Sequence, residues 1–191
     1  MEAKRLNNLS LSEYVAIEQK TQTKHEYHAG TIFAMSGGSI EHGLISGNTF
    51  GELKFKLRDN SNKCVAINSE VKLHIAAMNK YVYPDAMVVC KELERSNEMV
   101  DAVTNPSIIV EVLFKSTESY DRGDKFYFYR QIPSFQVYIL INQYQPQVEI
   151  YTRKSDLWKI QRVFGLDQSF ELPTLNISLN LSNLYEGINF K

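Results

Sequence analysis

Two apolar segments, each interrupted by one acidic residue, constrain this chain more than any other feature. Residues 107–114 form an apolar, β-branched run that contains Glu111, and residues 81–90 form a second run in which Asp85 follows Pro84. A run that is apolar on both faces is typical of a central strand, where an unpaired carboxylate costs several kcal/mol. Two such acids predict a shared partner, and the commonest partner for converging carboxylates is a hard cation.

The same two acids belong to an ordered set of short motifs. Pro84-Asp85 followed by Glu111 resembles the PD-(D/E)XK motif of restriction-endonuclease-like nucleases. The further motifs are His25-Glu26-Tyr27-His28-Ala29-Gly30, Ala34-Met35-Ser36-Gly37-Gly38-Ser39, His42, Glu111-Val112-Leu113, Ser116-Thr117, Asp121-Arg122, Lys125 and Tyr129-Arg130. With this set, which covers nearly the whole chain, the sequence resembles the Uma family, a branch of the restriction endonucleases.

This resemblance implies a fold, a reaction and a cofactor. The implied fold is a restriction-endonuclease-like α/β domain with a mixed sheet and the core order αβββαβ. The implied reaction is metal-dependent hydrolysis of phosphodiester bonds in DNA, with Mg²⁺ or Mn²⁺ held by Asp85, Glu111 and the backbone carbonyl of Val112. Because nucleases of this kind often cut two strands as two-fold dimers, the resemblance also implies a homodimer.

The lysine of the motif is missing from its usual place. The pattern has a lysine two residues after the glutamate, and this chain has Leu113 there. Lys125 on the next predicted helix is the replacement that the resemblance favours, and Lys115 is the other candidate. The alternative for Lys125 is an exposed i, i+4 pair with Asp121, worth about 0.3–0.5 kcal/mol. Without a working lysine, the chain would be a catalytically degraded scaffold that binds nucleic acid or a protein partner.

Three more residues are candidates for the site. Glu70 lies on the polar face of the alternating segment 64–75, so it could point into the cleft of Asp85 if the two strands pair; a solvated strand face is the alternative. His42, near the start of a predicted helix, could contact a phosphate or a metal's water, or be a surface or capping histidine. Asp121 is a further accessory candidate.

The remaining pattern predicts a single domain, 1–191, with a small N-terminal annex over residues 1–38. Ser10 and Glu13 form a capping-box pattern that begins the first helix. The predicted helices cover residues 10–22, 41–58 and 116–130. The predicted strands are a hairpin over 25–35 that turns at Ala29-Gly30, then 64–75, 81–90, 107–114, 135–141 and a meander of 147–153 and 158–164. The alternating tail at 175–181 is expected to close the sheet edge.

Composition restricts the partners and the compartment. The chain has 21 basic and 22 acidic residues, so a footprint for DNA can only be local. Cys64 and Cys90 form neither a metal motif nor a disulfide framework, and we expect reduced thiols. Without an apolar segment for a signal peptide or membrane helix, we expect a cytoplasmic protein. The sequence also lacks the Gly-x-x-x-x-Gly-Lys, Gly-x-Ser-x-Gly and Cys-x-x-Cys motifs of ATP binding, serine hydrolysis and zinc fingers.

Overall fold

A computed structural model describes residues 5–35, 37–58 and 63–190. The helices are α1 (Leu11–Lys20), α2 (Ile40–Leu57), α3 (Glu118–Tyr120), α4 (Phe126–Tyr129) and α5 (Leu181–Leu184), with a 3₁₀ turn at Ala76–Met78 and a π-helical segment at Asp121–Lys125. The strands are β1 (Arg5–Leu6), β2 (His25–His28), β3 (Thr31–Ala34), β4 (Cys64–Asn68), β5 (Lys72–Ile75), β6 (Lys80–Val82), β7 (Ala86–Cys90), β8 (Ala102–Val103), β9 (Ile108–Leu113), β10 (Val137–Asn142), β11 (Gln147–Lys154), β12 (Leu157–Phe164), β13 (Ser169–Leu172) and β14 (Ile177–Asn180).

The central sheet has the strand order β12-β11-β10-β9-β7-β4. Every residue of β9 is buried, as its apolar sequence predicts. β9 and β10 are parallel and are joined by the helical segment from α3 to α4, whereas the neighbouring pairs are antiparallel. The order α2, β4, β7, β9, helix, β10 confirms the predicted αβββαβ core, and β11 and β12 confirm the meander.

Two predicted strands are each divided between two sheets. The segment 64–75 breaks at residues 69–71, where the Asn68 side chain accepts a hydrogen bond from the Glu70 N–H at 3.2 Å. The segment 81–90 breaks at Pro84, whose nitrogen carries no hydrogen for a strand ladder. β4 and β7 therefore pair in the central sheet, whereas β5 and β6 pair in a second sheet of order β1-β3-β2-β6-β5-β8.

The N-terminal segment supplies strands to this second sheet. The capping box of Ser10 and Glu13 begins α1 as predicted. The hairpin turns at Ala29 and Gly30, which both have positive φ, and β2 then pairs with β6. The hairpin expected as part of an annex is thereby held against the strand that leads to Asp85.

The C-terminal segment does not close the central sheet, contrary to the expectation from its alternation. β13 and β14 pair with each other, and their buried side chains join the core that contains Leu53 and Leu57 of α2. Gly165, with φ +101°, follows β12 and donates its N–H to the carbonyl of Pro146 at 2.9 Å. This turn leads the chain away from the sheet edge and across α2.

The prediction of two reduced thiols is wrong. Cys64 and Cys90 lie directly opposite each other in the β4–β7 pair, and their sulfurs form a disulfide. Opposed residues in an antiparallel pair have close Cβ atoms, so the strand register creates this contact. Spacing along the sequence does not reveal it, because 26 positions separate the two cysteines.

The predicted helix over 116–130 is confirmed, but its middle is a π-helical turn. Such turns occur mostly as single insertions in α-helices and often at functional sites. This turn contains Asp121 and Lys125, both buried. Within the described residues, no helix is long and apolar enough to cross a membrane.

Candidate active site

Asp85 lies where the ladder between β7 and β9 ends. Ala86 pairs with Val110, and the chain before it leaves the sheet through Pro84. The Asp85 carboxylate takes the place of the next strand residue, since its Oδ2 accepts the N–H of Val112 at 2.7 Å. This bond fixes the acid beside the strand of Glu111.

Glu111 projects from the middle of β9 and is almost fully buried. Its side chain is only 4% exposed. Lys125 Nζ donates to Oε1 at 3.0 Å, and the Tyr129 hydroxyl donates to the same oxygen at 2.6 Å. Burial raises the pKa of Glu111 to about 8; Lys125 opposes this rise, and the nearby carboxylates of Asp121 and Asp85 add to it.

Lys125 is surrounded by carboxylates. Its Nζ lies 3.0 Å from Glu111, 3.3 Å from Asp121 and 3.9 Å from Glu26. Burial alone would lower the pKa of Lys125, but these three acids outweigh it and raise the pKa well above 10.5. The group at this position is therefore an ammonium ion across the physiological pH range.

The π-helical turn that carries Asp121 and Lys125 is held from outside the site. The Tyr138 hydroxyl donates to the backbone carbonyl of Asp121 at 3.0 Å. Arg122 donates from Nε to Glu118 at 2.8 Å, and its Nη1 lies 2.7 Å from buried Glu149 on β11. These contacts tie the turn to the central sheet, so Lys125 approaches Glu111 from a fixed backbone.

His42 also contacts the Asp85 carboxylate. Ser39 caps α2 by accepting the His42 N–H at 3.1 Å, which sets the first turn. The imidazole Nε2 lies 3.3 Å from Asp85 Oδ2. Hydrogen bonding to Asp85 raises the pKa of His42 against the opposing effect of burial, and a contact with the backbone of Val112 adds to the rise. Gly38 must lack a side chain, because a Cβ there would lie 2.9 Å from Nδ1 of this ring.

The chain is similar to a described protein family over most of its length. The model of the Uma2 family, described as "Putative restriction endonuclease", matches residues 11–182. The chain belongs to the Uma2 family. Two proteins of Synechocystis sp. are similar along nearly their whole length: uncharacterized protein slr1290 is 34% identical over 183 residues, which are 95% of this chain and 94% of the relative. Uncharacterized protein sll1609 is 34% identical over 170 residues, covering 88% and 95%.

A solved structure supports the fold of this Uma2 protein. The crystal structure of "a putative nuclease belonging to DUF820" from Anabaena variabilis superposes with a TM-score of 0.73 and covers 93% of this chain and 97% of its own. Sequence identity is 15%, so the likeness concerns the fold. The fold is the restriction-endonuclease-like mixed α/β architecture that the sequence predicts.

Glu70 of this Uma2 protein lies outside the site, contrary to the expectation from strand parity. The residue is on the turn between β4 and β5, and its side chain is 68% exposed. Lys24 Nζ binds its Oε1 at 2.6 Å. The expectation fails because the strand breaks one residue earlier, which removes Glu70 from the alternation that would have aimed it at Asp85.

Glu26 and Tyr129 contact the site although their sequence context assigned them no chemical role. Glu26 is buried on β2, and its Oε2 lies 3.1 Å from His28 Nε2. Burial would raise the pKa of Glu26, but Lys125 and the bond from His28 lower it below its usual value. Both residues belong to the motifs that carry the family resemblance, and those motifs were the sequence signal that could have identified them. Their approach to Glu111 and Lys125 depends on the fold.

The side chains of the candidate site line a cavity of about 340 Å³. Glu26, Asp85, Glu111 and Asp121 face it together with Lys125 and His42. Among the described residues, no set of three or more His, Cys, Asp or Glu side chains converges as a preformed metal cage. Mg²⁺ does not need such a cage, because it prefers oxygen ligands and usually keeps several waters beside one or two carboxylates. Asp85, Glu111 and the backbone of Val112 fit that requirement.

Proposed function

We propose that this Uma2 protein is a metal-dependent endonuclease that hydrolyses phosphodiester bonds in DNA. The observation that supports it most strongly is the position of Lys125, whose Nζ lies 3.0 Å from Glu111 Oε1 in the cavity that Asp85 also lines. The PD-(D/E)XK motif has a lysine two residues after its glutamate, where this chain has the buried Leu113. The contact with Glu111 supports Lys125 as the replacement for that lysine.

Asp85, Glu111 and the carbonyl of Val112 would hold Mg²⁺ or Mn²⁺. When bound, such an ion neutralises phosphate charge and lowers the pKa of an attacking water. The neighbouring carboxylates of Asp121 and Asp85 favour this binding, because they repel the charge of Glu111 and a cation relieves that repulsion. The ion replaces the proton that burial favours on Glu111.

The other residues have separate tasks in this proposal. Lys125 remains charged and donates a hydrogen bond to a phosphate oxygen, which stabilises the charge that develops there in the transition state. Asp121 and Glu26 hold the ammonium in place. Tyr129 keeps the Glu111 carboxylate oriented through its 2.6 Å bond. His42, whose pKa is raised, supplies a second hydrogen-bond donor for the phosphate beside Asp85.

The second candidate function is a nuclease-like scaffold that no longer cuts and that binds nucleic acid or a protein partner. The charge balance favours it, because the chain has a net charge of −1 and four acids line the cavity beside Lys125 and His42. Calorimetric titration with Mn²⁺ separates the two functions. A working site binds the ion, and binding is lost in Asp85→Ala, whereas a degraded site binds the ion weakly in both proteins.

Plasmid cleavage tests the proposal, with a matched pair of acid variants. Supercoiled plasmid and single-stranded circular DNA are each incubated with Mg²⁺ or Mn²⁺ and wild type, Glu111→Gln or Glu70→Gln. The proposal predicts that Glu111→Gln abolishes cleavage and Glu70→Gln retains it, because Glu70 is exposed and paired with Lys24 away from the cavity. Absence of cleavage by the wild type in both metals, or equal cleavage by the Glu111 variant, would contradict it.

The homodimer implied by the resemblance is part of this proposal. A two-fold pair brings two sites to two strands. Sedimentation velocity measures the mass directly. A species of twice 22.0 kDa supports it, and a monomer at every concentration used for cleavage contradicts it.

A further inference from the structure

A second cavity, of about 630 Å³, adjoins the acidic cavity across Asp85 and His42. The two cavities share these side chains as a wall, together with Gly37 and Gly38. They therefore form one cleft with two lobes, and the candidate catalytic acid lies between them. We call the second lobe the α2 groove; Gly43, Ser46, Gly47 and Phe50 of α2 form one side, and Lys24, Asn68 and Ser69 form the other.

The two lobes differ in chemistry. The acidic cavity contains four carboxylates. Apart from the shared Asp85 and His42, the α2 groove has mainly neutral polar groups, a cation at Lys24 and the aromatic rings of Phe50 and Tyr83. Lys24 already binds Glu70 and the carbonyl of Ser69. The groove can thus offer hydrogen bonds and a stacking surface, with little charge for neutralising several phosphates.

Access to the acids is narrow. The Asp85 side chain is 14% exposed and that of Glu111 is 4% exposed. The rim of the acidic cavity includes Phe33 and Met35 at the end of the β2–β3 hairpin and Phe114 after β9. Cavities of about 300–1,000 Å³ enclose ligands of small-molecule size, so each lobe fits one or a few nucleotides.

We propose that the α2 groove binds an unpaired strand of DNA, so that the nucleotides on either side of the cleaved phosphate occupy the two lobes. The substrate is then a single strand, or the unpaired arm of a branched or tailed DNA. Single-strand binding combines base stacking on aromatic side chains with a positively charged groove that follows the backbone. In the α2 groove Phe50 and Tyr83 supply rings and Lys24 supplies a cation. Duplex binding depends on neutralising many phosphates, for which a chain with net charge −1 is poorly equipped.

This inference rests on the proposed function, since it takes Asp85 as part of the cleavage site. Strand binding and cleavage can nevertheless be tested separately, because they require different residues. Cleavage of DNA requires the acids and Lys125, whereas strand binding requires that the α2 groove be open.

Two glycines of α2 provide a matched test. A Cβ added to Gly47 or to Gly51 meets no atom within 4 Å, so both positions accept a larger side chain without a clash. Leucine also favours the helix over glycine at each position. Gly47 lines the groove, and Gly51 lies about one turn further along the same helix. Gly47→Leu should narrow the groove, and Gly51→Leu should control for the altered helix.

Fluorescence anisotropy in EDTA measures binding of a labelled single strand, a blunt duplex and a duplex with an unpaired tail. We expect the wild type to bind the single-stranded and tailed DNA more tightly than the blunt duplex. Loss of one stacked base costs about 1–3 kcal/mol, so Gly47→Leu should weaken single-strand binding by about tenfold or more. Gly51→Leu should bind as the wild type does.

Three results would overturn the inference: no binding of the single strand, equally tight binding of the blunt duplex, or unchanged binding by Gly47→Leu. Because the assay contains no metal, it is independent of cleavage. If the wild type cuts plasmid but Gly47→Leu binds and cuts normally, the proposed function stands and the groove assignment fails. If the wild type cuts neither plasmid nor single-stranded DNA but Gly47→Leu loses strand binding, the groove assignment stands and the cleavage function fails.

Discussion

Lys125 and Glu111 are 14 residues apart in sequence, and their Nζ and Oε1 atoms are 3.0 Å apart in the fold. The acid is on a central strand, and the lysine is on the π-helical turn that follows. In the PD-(D/E)XK motif the lysine is on the strand itself, two residues after the glutamate, where this chain has Leu113, buried in the core. The strand keeps its packing, and the cation reaches the acid from the helix.

The bond from Tyr129 to Glu111 should contribute measurably to stability. In Tyr129→Phe the side chain of Glu111 loses its shortest hydrogen bond and keeps the one from Lys125. One hydrogen bond contributes about 0.5–3 kcal/mol, with the larger values when a partner is charged. Urea unfolding measures the change. Tyr127→Phe, at a position 49% exposed two residues earlier, is the control and should be nearly neutral. Equal stability of the two variants would contradict the assigned bond.

The raised pKa of Glu111 gives a pH dependence with a defined sign. Between its usual value of 4.5 and about 8, the folded protein keeps a proton on Glu111 that the unfolded chain has released. Stability rises with pH only where the unfolded state binds more protons, so this group makes stability fall as pH rises from about 4.5 to about 8. In EDTA, the difference in unfolding free energy between wild type and Glu111→Gln should decrease over that window. A difference that is constant or increases would show that Glu111 is not held in its protonated form.

Gly38 should be needed for the position of His42. In Gly38→Ala the new methyl group would lie 2.9 Å from the imidazole Nδ1, so the ring must leave the position in which its Nε2 contacts Asp85. We expect plasmid cleavage to slow by up to about 10²-fold, the weaker end of the range for a positioned proton donor. Gly37→Ala is the control, because a Cβ there meets nothing within 4 Å. Equal cleavage rates for the two variants would show that the position of His42 does not affect cleavage.

The Cys64–Cys90 disulfide should stabilise the edge of the central sheet. For a sequence separation of 26, the loss of chain entropy in the unfolded state corresponds to about 3 kcal/mol. Thermal unfolding with and without dithiothreitol measures the effect. The double variant Cys64→Ser, Cys90→Ser should melt at the temperature of the reduced protein and should not respond to the reductant. A wild type that is also unresponsive would contradict the disulfide.

Local pattern was sufficient for much of this fold and site. The apolar run around Glu111 predicted a central strand because burial on both faces requires it. Ser10 predicted a helix start because a side-chain oxygen satisfies N–H groups that a helix leaves open. Lys125 was found through the family resemblance, since nothing in its immediate neighbours distinguishes it from a surface pair with Asp121.

Features that depend on long-range pairing were beyond local pattern. Glu70 was misplaced because alternation alone does not reveal that a strand breaks and changes sheet at Asn68. The disulfide depends on the register of β4 against β7, which the spacing of two cysteines does not encode. Glu26 approaches Lys125 only because β2 pairs with β6, across more than fifty residues of chain.

The most direct test of the central claim compares two lysines. Plasmid cleavage and calorimetric Mn²⁺ binding are measured for Lys125→Met and for Lys115→Met. Lys115 is the exposed lysine that the sequence offered as the other replacement. Melting curves confirm that each variant is folded. The account predicts that Lys125→Met loses cleavage by about 10²-fold or more, as expected for removal of a group that stabilises transition-state charge, while Lys115→Met cuts normally. A folded Lys125→Met that cuts at the wild-type rate would contradict it.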